Sequence, residues 1–363
     1  MMRHALAGVI ALSAAALLTA WFLARRVAPL DLDALRETRA ALEARAGGWV
    51  SAGGPRRADG FVYAVDVAHL MEHAAWVGDA DLYLRLHDLV ARRLVLDDPD
   101  DPFTRGFVPW RVGDAPPDAS GTTEALRVAR ALWRGGERFD RPADRALASV
   151  ILTGYARHAF VDQGIWHVRN YFNLGTRAFA NDSYLVDYDA DFVAEVAAAT
   201  GDAALADVAA RSVALVRASV SPSGLVHTLL QPDLRTVYPD VELSGFSPND
   251  LIQLNNACIV AETVARSAPE VAAATLAFAD ARLPDVKRWY YGRTGEAASD
   301  READLVVHAC FARLALALGD DVSVRRWVAA GLPGWRGMAE GPAERYYTVG
   351  EALLTLDRLL AAP

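Results

Sequence analysis

Acidic side chains recur at six places along the chain, each at the end of a long connection and next to the start of a run with helical spacing. They are Asp59, Asp66, Asp118, Glu124, Asp182, Asp187, Asp250, Asp300, Glu302, Asp304 and Glu344. Carboxyl groups at a helix N-terminus stabilise it by capping or through the helix dipole, so each residue alone has a structural explanation. A fold that brought all six places to one cleft would instead create a site for carboxylate acid and base chemistry.

Aromatic side chains are concentrated in the same connections. Aromatic faces with carboxylates between them are suited to binding sugar rings. Half of the aromatic residues would serve only to pack the connections onto the fold. We predict substrate contacts from Asp59, Trp110, Trp166, Tyr184, Tyr238, Asp250, Trp289 and Tyr346.

Two carboxyl groups with different protonation states are needed to hydrolyse a glycosidic bond. Glu124 suits the acid, because it lies one turn inside a predicted helix, past the residues that can cap it. Asp118 and Asp182 lie at or before helix starts, where backbone N–H groups would keep them ionised. These three residues are the first candidates for catalysis.

Apolar residues at helical spacing predict twelve helices. Short and long connections alternate strictly between them. This alternation predicts an all-α fold, an (α/α)6 toroid of six helical hairpins, with the first helix pairing with the last to close the ring. An open solenoid is the alternative, but its repeats keep a fixed period and have short loops on both edges. The predicted helices are 33–46, 61–77, 80–95, 121–134, 141–158, 182–200, 202–219, 247–266, 269–283, 299–318, 321–330 and 345–361.

The short connections carry a glycine followed by an acidic residue. Glycine supplies the left-handed residue that ends one helix, and the acid caps or charges the start of the next. A small hairpin over 224–238 is expected on the long-loop edge. The short turns are Gly78-Asp79, Gly136-Glu137, Gly201-Asp202 and Gly319-Asp320, with Ser267-Ala268-Pro269 in a fifth place.

The composition limits the classes of function. The 363 residues are 53% hydrophobic and 23% charged, with a net charge of −9, so a large core is expected and nucleic-acid partners are disfavoured. Lys287 is the only lysine, which disfavours Schiff-base chemistry. Cys258 and Cys310 are too few for a four-cysteine zinc site, and no cofactor or metal is predicted.

Residues 5–23 form an uncharged apolar stretch, flanked by Arg3 and by Arg25-Arg26. Nineteen residues match the roughly 30 Å hydrocarbon core of a bilayer. Bulky Trp21 and Phe22 stand where a cleavage site would need small residues, so an uncleaved transmembrane anchor is favoured over a signal peptide. We expect an anchor in the lipid bilayer over 1–27 and one extracytoplasmic toroid domain over 28–363.

The sequence resembles the six-hairpin glycosidases, with its nearest similarity to glycoside hydrolase family 8, which includes bacterial endoglucanases. The family opens an inner helix with Ser-Glu-Gly-Gln, where this chain has Thr123-Glu124-Ala125-Leu126, followed by Gly136-Glu137-Arg138-Phe139-Asp140. The resemblance implies that Glu124 is the general acid. Ala180-Asn181-Asp182 stands at the place of a second family motif. It also implies a base from a later inner helix, with Asp250, Asp300 and Asp304 as candidates. Unsaturated uronyl hydrolases are similar at Asp118-Ala119-Ser120-Gly121.

The resemblance favours a glycoside hydrolase acting on a bacterial polysaccharide or oligosaccharide. Ala125 and Leu126 replace the Gly-Gln of the family, which leaves room for a non-catalytic, glycan-binding scaffold in polysaccharide assembly. Polysaccharide-secretion machinery would then be the partner. A polysaccharide lyase is a third alternative, with His167, Arg169 and Tyr171 as base and neutraliser.

Two further patterns suggest metals. His69-Leu70-Met71-Glu72-His73 matches the H-x-x-E-H pattern of inverzincins, although two hydrogen-bonded core histidines explain it as well. Asp187, Asp189 and Asp191 alternate as in a calcium loop, but the glycine and terminal glutamate are missing. We therefore expect neither metal.

Overall fold

The computed structural model describes residues 28–51, 54–162, 164–230, 250–341 and 345–362. Twelve α-helices lie within these residues, as the sequence predicts. They are α1 Leu32–Ser51, α2 Ala64–Val77, α3 Ala80–Leu89, α4 Thr122–Arg138, α5 Pro142–Ala156, α6 Ala190–Thr200, α7 Ala203–Ala218, α8 Leu254–Thr263, α9 Pro269–Asp280, α10 Leu305–Ala317, α11 Asp321–Glu340 and α12 Tyr346–Ala361.

The even-numbered helices form an inner layer and the odd-numbered helices an outer one. Helix α2 packs against α4 on one side and against α12 on the other, and α10 packs between α8 and α12. Helix α1 packs on α12 and α11, so the first helix and the last hairpin close the ring. This is the predicted (α/α)6 toroid. The inner helices are buried almost all round, which explains their apolar sequences.

Outer helices begin with strong local signals. Aspartates accept hydrogen bonds from first-turn N–H groups at α1, α3, α7 and α11, through Asp31, Asp79, Asp202 and Asp320. Helices α5 and α9 begin with proline instead. The preceding Gly78, Gly201 and Gly319 adopt left-handed conformations, as predicted for helix ends.

Inner helices begin differently. The residues before α2, α4, α6, α8, α10 and α12 make no side-chain capping bond within the described part of the chain. The acids gathered at this edge are therefore not N-caps. Side-chain capping thus does not explain the described acids at this edge, and some of them make other contacts, such as that of Asp66 with Arg57.

Short strands decorate the long-loop edge, so the fold is not wholly helical. They pair antiparallel as β1–β2, β3–β6–β7, β4–β5, β8–β9 and β10–β11. The strands are β1 Val62–Tyr63, β2 Arg111–Val112, β3 Ala119–Gly121, β4 Ala159–Asp162, β5 Ile165–Val168, β6 Tyr171–Asn173, β7 Ala178–Phe179, β8 Ser183–Tyr184, β9 Leu229–Leu230, β10 Leu251–Gln253 and β11 Trp289–Tyr291.

Several predicted helix boundaries are wrong. Helices were expected to begin near 182, 247 and 299, but they begin at Ala190, Leu254 and Leu305. The chain there pairs with another long loop, as at β8 and β10, or remains in a connection. Gly136 lies inside α4, against α5, and the turn is made at Asp140, which has a positive φ of 50°.

The hairpin expected over 224–238 is not confirmed in the described residues. Leu229–Leu230 pairs with Ser183–Tyr184 instead, and 231–249 lies outside the described residues. No helix of the described chain is long and apolar enough to span a bilayer. The apolar stretch 5–23 is also outside the described residues.

Charged side chains link the inner helices inside the ring. Arg130 donates to Glu72 at 3.0 Å and to Asp189 at 2.7 Å. Arg313 lies 2.9 Å from Glu262. Ion pairs also join Arg358 to Glu262 and Glu72, and Glu351 to Arg313 and Arg127. These pairs compensate the desolvation of each buried charge, so the ring interior holds a paired ionic network beneath the long-loop edge.

Candidate functional site

A pocket of about 360 Å³ opens on the long-loop edge beside the start of α4. Its wall combines two carboxylates, two aromatic rings, two amides and the backbone of β3. Acids, amides and rings around one concave space are the groups that orient a sugar. The lining residues are Trp110, Asp118, Ala119, Ser120, Gly121, Glu124, Asn170, Tyr171 and Asn173.

Glu124 lies in the first turn of α4, is half-buried and lines this pocket. Desolvation raises the pKa of its carboxyl group, and this effect outweighs its own backbone N–H and the charge of Arg127. A carboxyl group with a raised pKa is the form that can donate a proton. The position and the pKa direction both suit the acid predicted from the sequence.

Asp118 is the second carboxylate of this pocket, and its surroundings shift its pKa in the opposite direction. Its carboxylate accepts a hydrogen bond of 2.7 Å from Trp110 Nε1 and lies 3.6 Å from Arg111 Nη2. Desolvation opposes its ionisation, but the Trp110 hydrogen bond, its own and the next backbone N–H and Arg111 hold its pKa below the ordinary value. The pocket therefore holds one carboxyl group with a raised pKa and one with a lowered pKa.

Three aromatic rings and the guanidinium group of Arg111 pack together at the rim of the pocket. Arg111 lies over the rings of Trp110 and Phe61, at 4.2 and 4.0 Å. Tyr63 meets Trp110 edge-to-face at 5.5 Å and donates its hydroxyl to Asp59 at 2.6 Å. That hydrogen bond is the main cause of the lowered pKa of Asp59. Asp59 thus holds the Tyr63 hydroxyl by a hydrogen bond, and Asp59 itself remains exposed.

A second pocket, of about 480 Å³, lies at the starts of α8, α10 and α12 on the same edge. Two predicted site residues, Asp304 and Tyr346, line it. Its other lining residues are Arg57, Gln253, Asn255, Arg288, Leu305, Val306, Arg345, Tyr347 and Thr348.

Asp182 lines neither of the two pockets. It is half-buried before β8, and its carbonyl accepts from Asn170, which lines the first pocket. Tyr184 follows it, and its hydroxyl contacts the Asn256 amide at the start of α8. Trp166 packs edge-to-face with buried Tyr188, at 6.2 Å. The predicted partner of Glu124 is thus less well placed than Asp118.

Asp250 has an unusual conformation, with a φ of 56°. Its carboxylate accepts the backbone N–H of Arg293 at 2.6 Å and lies 3.5 Å from buried His227. Trp289 is half-buried in β11, opposite Gln253. Tyr238 falls in 231–249 and lies outside the described residues.

Asp300 is exposed and lines neither pocket. Asp304 immediately precedes α10 and lies 3.5 Å from Arg288. Tyr346 donates its hydroxyl to the Arg56 carbonyl at 2.7 Å, and its ring lies 4.3 Å from that of Trp49. Of the later candidates for a base in the described chain, Asp304 is the one that lines either of these two pockets.

Seven of the pocket residues absent from the predictions are arginines and amides. Asn170 and Asn173 reach the first pocket because β6 pairs with β3, and Arg57, Arg288 and Arg345 reach the second. Local sequence carries little signal for them, since loop arginines and asparagines are common. The ionic network has a clearer signal, a charged residue inside an otherwise apolar helix, as with Arg313 in α10.

The side chains of the two metal patterns contact other protein groups. Buried His69 lies 3.3 Å from Glu351, whereas His73 bonds to Asp357 at 2.7 Å, so the two imidazoles have separate carboxylate partners. Asp189 pairs with Arg130, and Asp191 accepts from the backbone of Arg266 and Ser267. Each of these four side chains thus lies against a partner in the described part of the chain.

The lyase residues do not converge on a site. His167 is buried 3.1 Å from Asp162, and Arg169 pairs with the same carboxylate. Tyr171 alone lines the first pocket. Both buried cysteines, Cys258 and Cys310, are core residues, as expected.

Solved structures with the same fold are six-hairpin glycosidases. A β-1,3-1,4-glucanase from Paenibacillus sp. X4 is 15% identical, with a TM-score of 0.67 over 91% of this chain and 92% of that chain. An endo-β-1,4-glucanase from Acetobacter xylinum is 19% identical, with a TM-score of 0.65 over 90% and 98%. The family 8 endoglucanase Cel10 from Klebsiella pneumoniae is 14% identical, with a TM-score of 0.56 over 83% and 100%.

No protein-family model matches the sequence, and neither does any curated protein. At identities this low, the structural similarity establishes the toroid fold, and the chemistry must be argued from the site.

Proposed function

We propose that this protein is a glycoside hydrolase that cleaves a polysaccharide or oligosaccharide with Glu124 as general acid. The observation that carries the proposal is the shared pocket of Glu124 and Asp118, whose pKa values shift in opposite directions. Glycoside hydrolysis needs this combination, a protonated carboxyl group for the leaving oxygen and an ionised one on the other side. The glycosidase fold of the similar structures supports it.

In this mechanism Glu124 protonates the glycosidic oxygen as the bond to the anomeric carbon breaks. Asp118 accepts a proton from the attacking water or attacks that carbon itself. Trp110 and Tyr171 flank the sugar ring, and the amides of Asn170 and Asn173 bind its hydroxyl groups. Asp118 replaces Asp182 as the preferred partner, because it lines the same pocket as Glu124.

Hydrolysis of β-linked glucans is the first activity to measure, since two of the similar structures are described as β-1,4- and β-1,3-1,4-glucanases. Release of reducing ends should fall at least about 100-fold in Glu124→Gln, with oligosaccharide binding retained. Glu137→Gln is the matched control, an exposed acid at the far end of the same helix. A wild-type protein that binds glycan but cuts none would favour the scaffold function instead.

We further propose that residues 5–23 anchor the enzyme in a membrane, with the toroid outside the cytoplasm and next to polysaccharide-secretion machinery. The support is the length and apolar character of that stretch. Fractionation of cells that express full-length protein and a variant without 1–27 tests the anchor. Protease accessibility in intact spheroplasts tests the side, and recovery of the full-length protein in the soluble fraction would refute the anchor.

A further inference from the structure

The second pocket is cationic in a protein that carries a net charge of −9. Three guanidinium groups line it, those of Arg57, Arg288 and Arg345, against the single carboxylate of Asp304. Such a concentration of positive charge in a concave site favours an anionic ligand, because guanidinium groups bind carboxylates and phosphates through paired N–H donors.

Two of the three arginines are held in place by carboxylates. Arg57 donates to buried Asp66 through Nε and Nη2, at 2.8 and 2.9 Å, and its guanidinium lies 3.8 Å from the Tyr63 ring centre. Arg288 lies 3.5 Å from Asp304. Arg345 is exposed and has no carboxylate partner among the described residues, so within that part of the chain the three guanidinium groups outnumber the two carboxylates paired with them.

Two helix N-termini add to the positive potential. Leu305 and Val306 begin α10, Tyr346 and Tyr347 begin α12, and all four line the pocket. The residues before these helices make no capping bond within the described chain, so no side chain there competes for the first-turn N–H groups. Such N–H groups, with the helix dipole behind them, favour an anion.

A series of side-chain contacts connects the two pockets. Arg57 of the second pocket stacks on Tyr63, and Tyr63 meets Trp110, which lines the Glu124 pocket. A glycan seated against Trp110 can therefore extend past Tyr63 towards the arginines. The arginines would then bind a sugar residue other than the one being cleaved.

We propose that the second pocket is a subsite for a carboxylate-bearing sugar, so that the substrate is an anionic, uronate-containing glycan. This inference rests on the proposed function for the identity of the ligand as a glycan, and it adds the substrate class. Arg345 and Arg288 bind the carboxylate, and the amides of Gln253 and Asn255 bind neighbouring hydroxyl groups.

Two hexasaccharides with one backbone provide the test: cellohexaose and the β-1,4-linked glucuronate hexamer, which differ only in the oxidation of C6. Calorimetric titration of the full chain should show at least about tenfold tighter binding of the glucuronate at low salt. This preference should shrink as salt is raised, because ions screen exposed charges. Arg288→Gln/Arg345→Gln should abolish the preference, so that this variant binds the two hexamers equally.

The control is Arg92→Gln/Arg211→Gln, which removes two exposed arginines from outer surfaces and changes the net charge equally. It should keep the preference. Equal binding of both hexamers by the wild type, or an equal loss in both double variants, would overturn the inference.

The two proposals fail separately. Hydrolysis of cellohexaose without a glucuronate preference would refute the anionic subsite and retain the glycosidase. Tight, arginine-dependent glucuronate binding with no cleavage of either hexamer, or of a glucuronate–glucose copolymer, would retain the subsite and refute the hydrolase.

Discussion

The carboxyl group of Glu124 occupies the space that a Cβ atom on Gly121 would need. Gly121 is buried at the end of β3, immediately before α4, and Glu124 lies three residues further on. The glycine thus lets the acid fold back over the start of its own helix and remain desolvated. A glycine at position 121 is explained by the space that Glu124 occupies and not by a left-handed conformation, since the φ of Gly121 is −110°.

Gly121→Ala should reduce activity more than stability. The added methyl group displaces the Glu124 carboxyl group, which is the end of a flexible side chain, so the fold can accommodate it. We expect kcat to fall at least about tenfold, since misplacement of a reacting group by about 1 Å costs up to 10²-fold. Steady-state kinetics and thermal unfolding of the same preparation check both parts.

Gly337→Ala is the matched control, because a Cβ atom there meets nothing within 4 Å and the residue lies in outer helix α11. It should be neutral or slightly stabilising, as alanine is the better helix former. Full activity in Gly121→Ala would show that the observed position of Glu124 is not the catalytic one.

The pH dependence of kcat/KM should be bell-shaped. In the proposed mechanism the rate requires ionised Asp118 and protonated Glu124. The rate therefore rises as pH passes the lowered pKa of Asp118 and falls as pH passes the raised pKa of Glu124. In Asp118→Asn the residual activity should lose its acidic limb and keep the alkaline one. An unchanged acidic limb would assign the base elsewhere, with Asp304 as the next candidate.

Two aspartates near helix starts should behave oppositely on truncation. Asp202 caps outer helix α7 through the N–H groups of Ala204 and Leu205. Asp202→Ala should therefore cost about 1 kcal/mol of unfolding free energy and leave activity intact. Asp118→Ala should cost less stability and most of the activity, because Asp118 bonds to Trp110 and caps no helix. Urea unfolding and hydrolysis of one substrate compare them directly.

Arg313 supports the ring from within. Its guanidinium is buried and contacts Glu262, Glu351 and Thr355. Arg313→Met would leave two buried carboxylates without their main partner, at a cost of about 3–5 kcal/mol in unfolding free energy. Denaturant titration measures this loss. Arg313→Met/Glu262→Gln should recover part of it, whereas additive losses would mean that the two side chains act independently.

Acid should unfold the protein through the same network. Arginines hold the pKa values of Glu72 and Glu262 at about 2 against the desolvation that acts to raise them, whereas the ordinary value is 4.5. The unfolded chain therefore binds protons first as pH falls. The stability from these groups is complete above about pH 5 and is lost progressively towards pH 2. Unfolding free energy measured across this range checks the window, and a flat profile would contradict it.

The sequence by itself determines the helical scaffold of this protein. Apolar spacing of 3.6 residues, with glycine and aspartate at Gly78-Asp79, Gly201-Asp202 and Gly319-Asp320, is local information, and it predicts twelve helices and the closure of the ring. The place of Glu124 in the first turn of α4 could also be predicted from the sequence, because it depends only on where that helix begins.

The tertiary structure decides which groups share a pocket. Asp118 rather than Asp182 joins Glu124, because β3 pairs with β6 and Trp110 bonds to Asp118 across the loops. Late helix starts such as Ala190 follow from the same loop pairing. Arg57, Arg288 and Arg345 are more than 50 residues apart in sequence and meet only because the ring closes. Contacts between distant loops depend on how those loops pack against one another, which no local pattern encodes, and they set the chemistry of the long-loop edge.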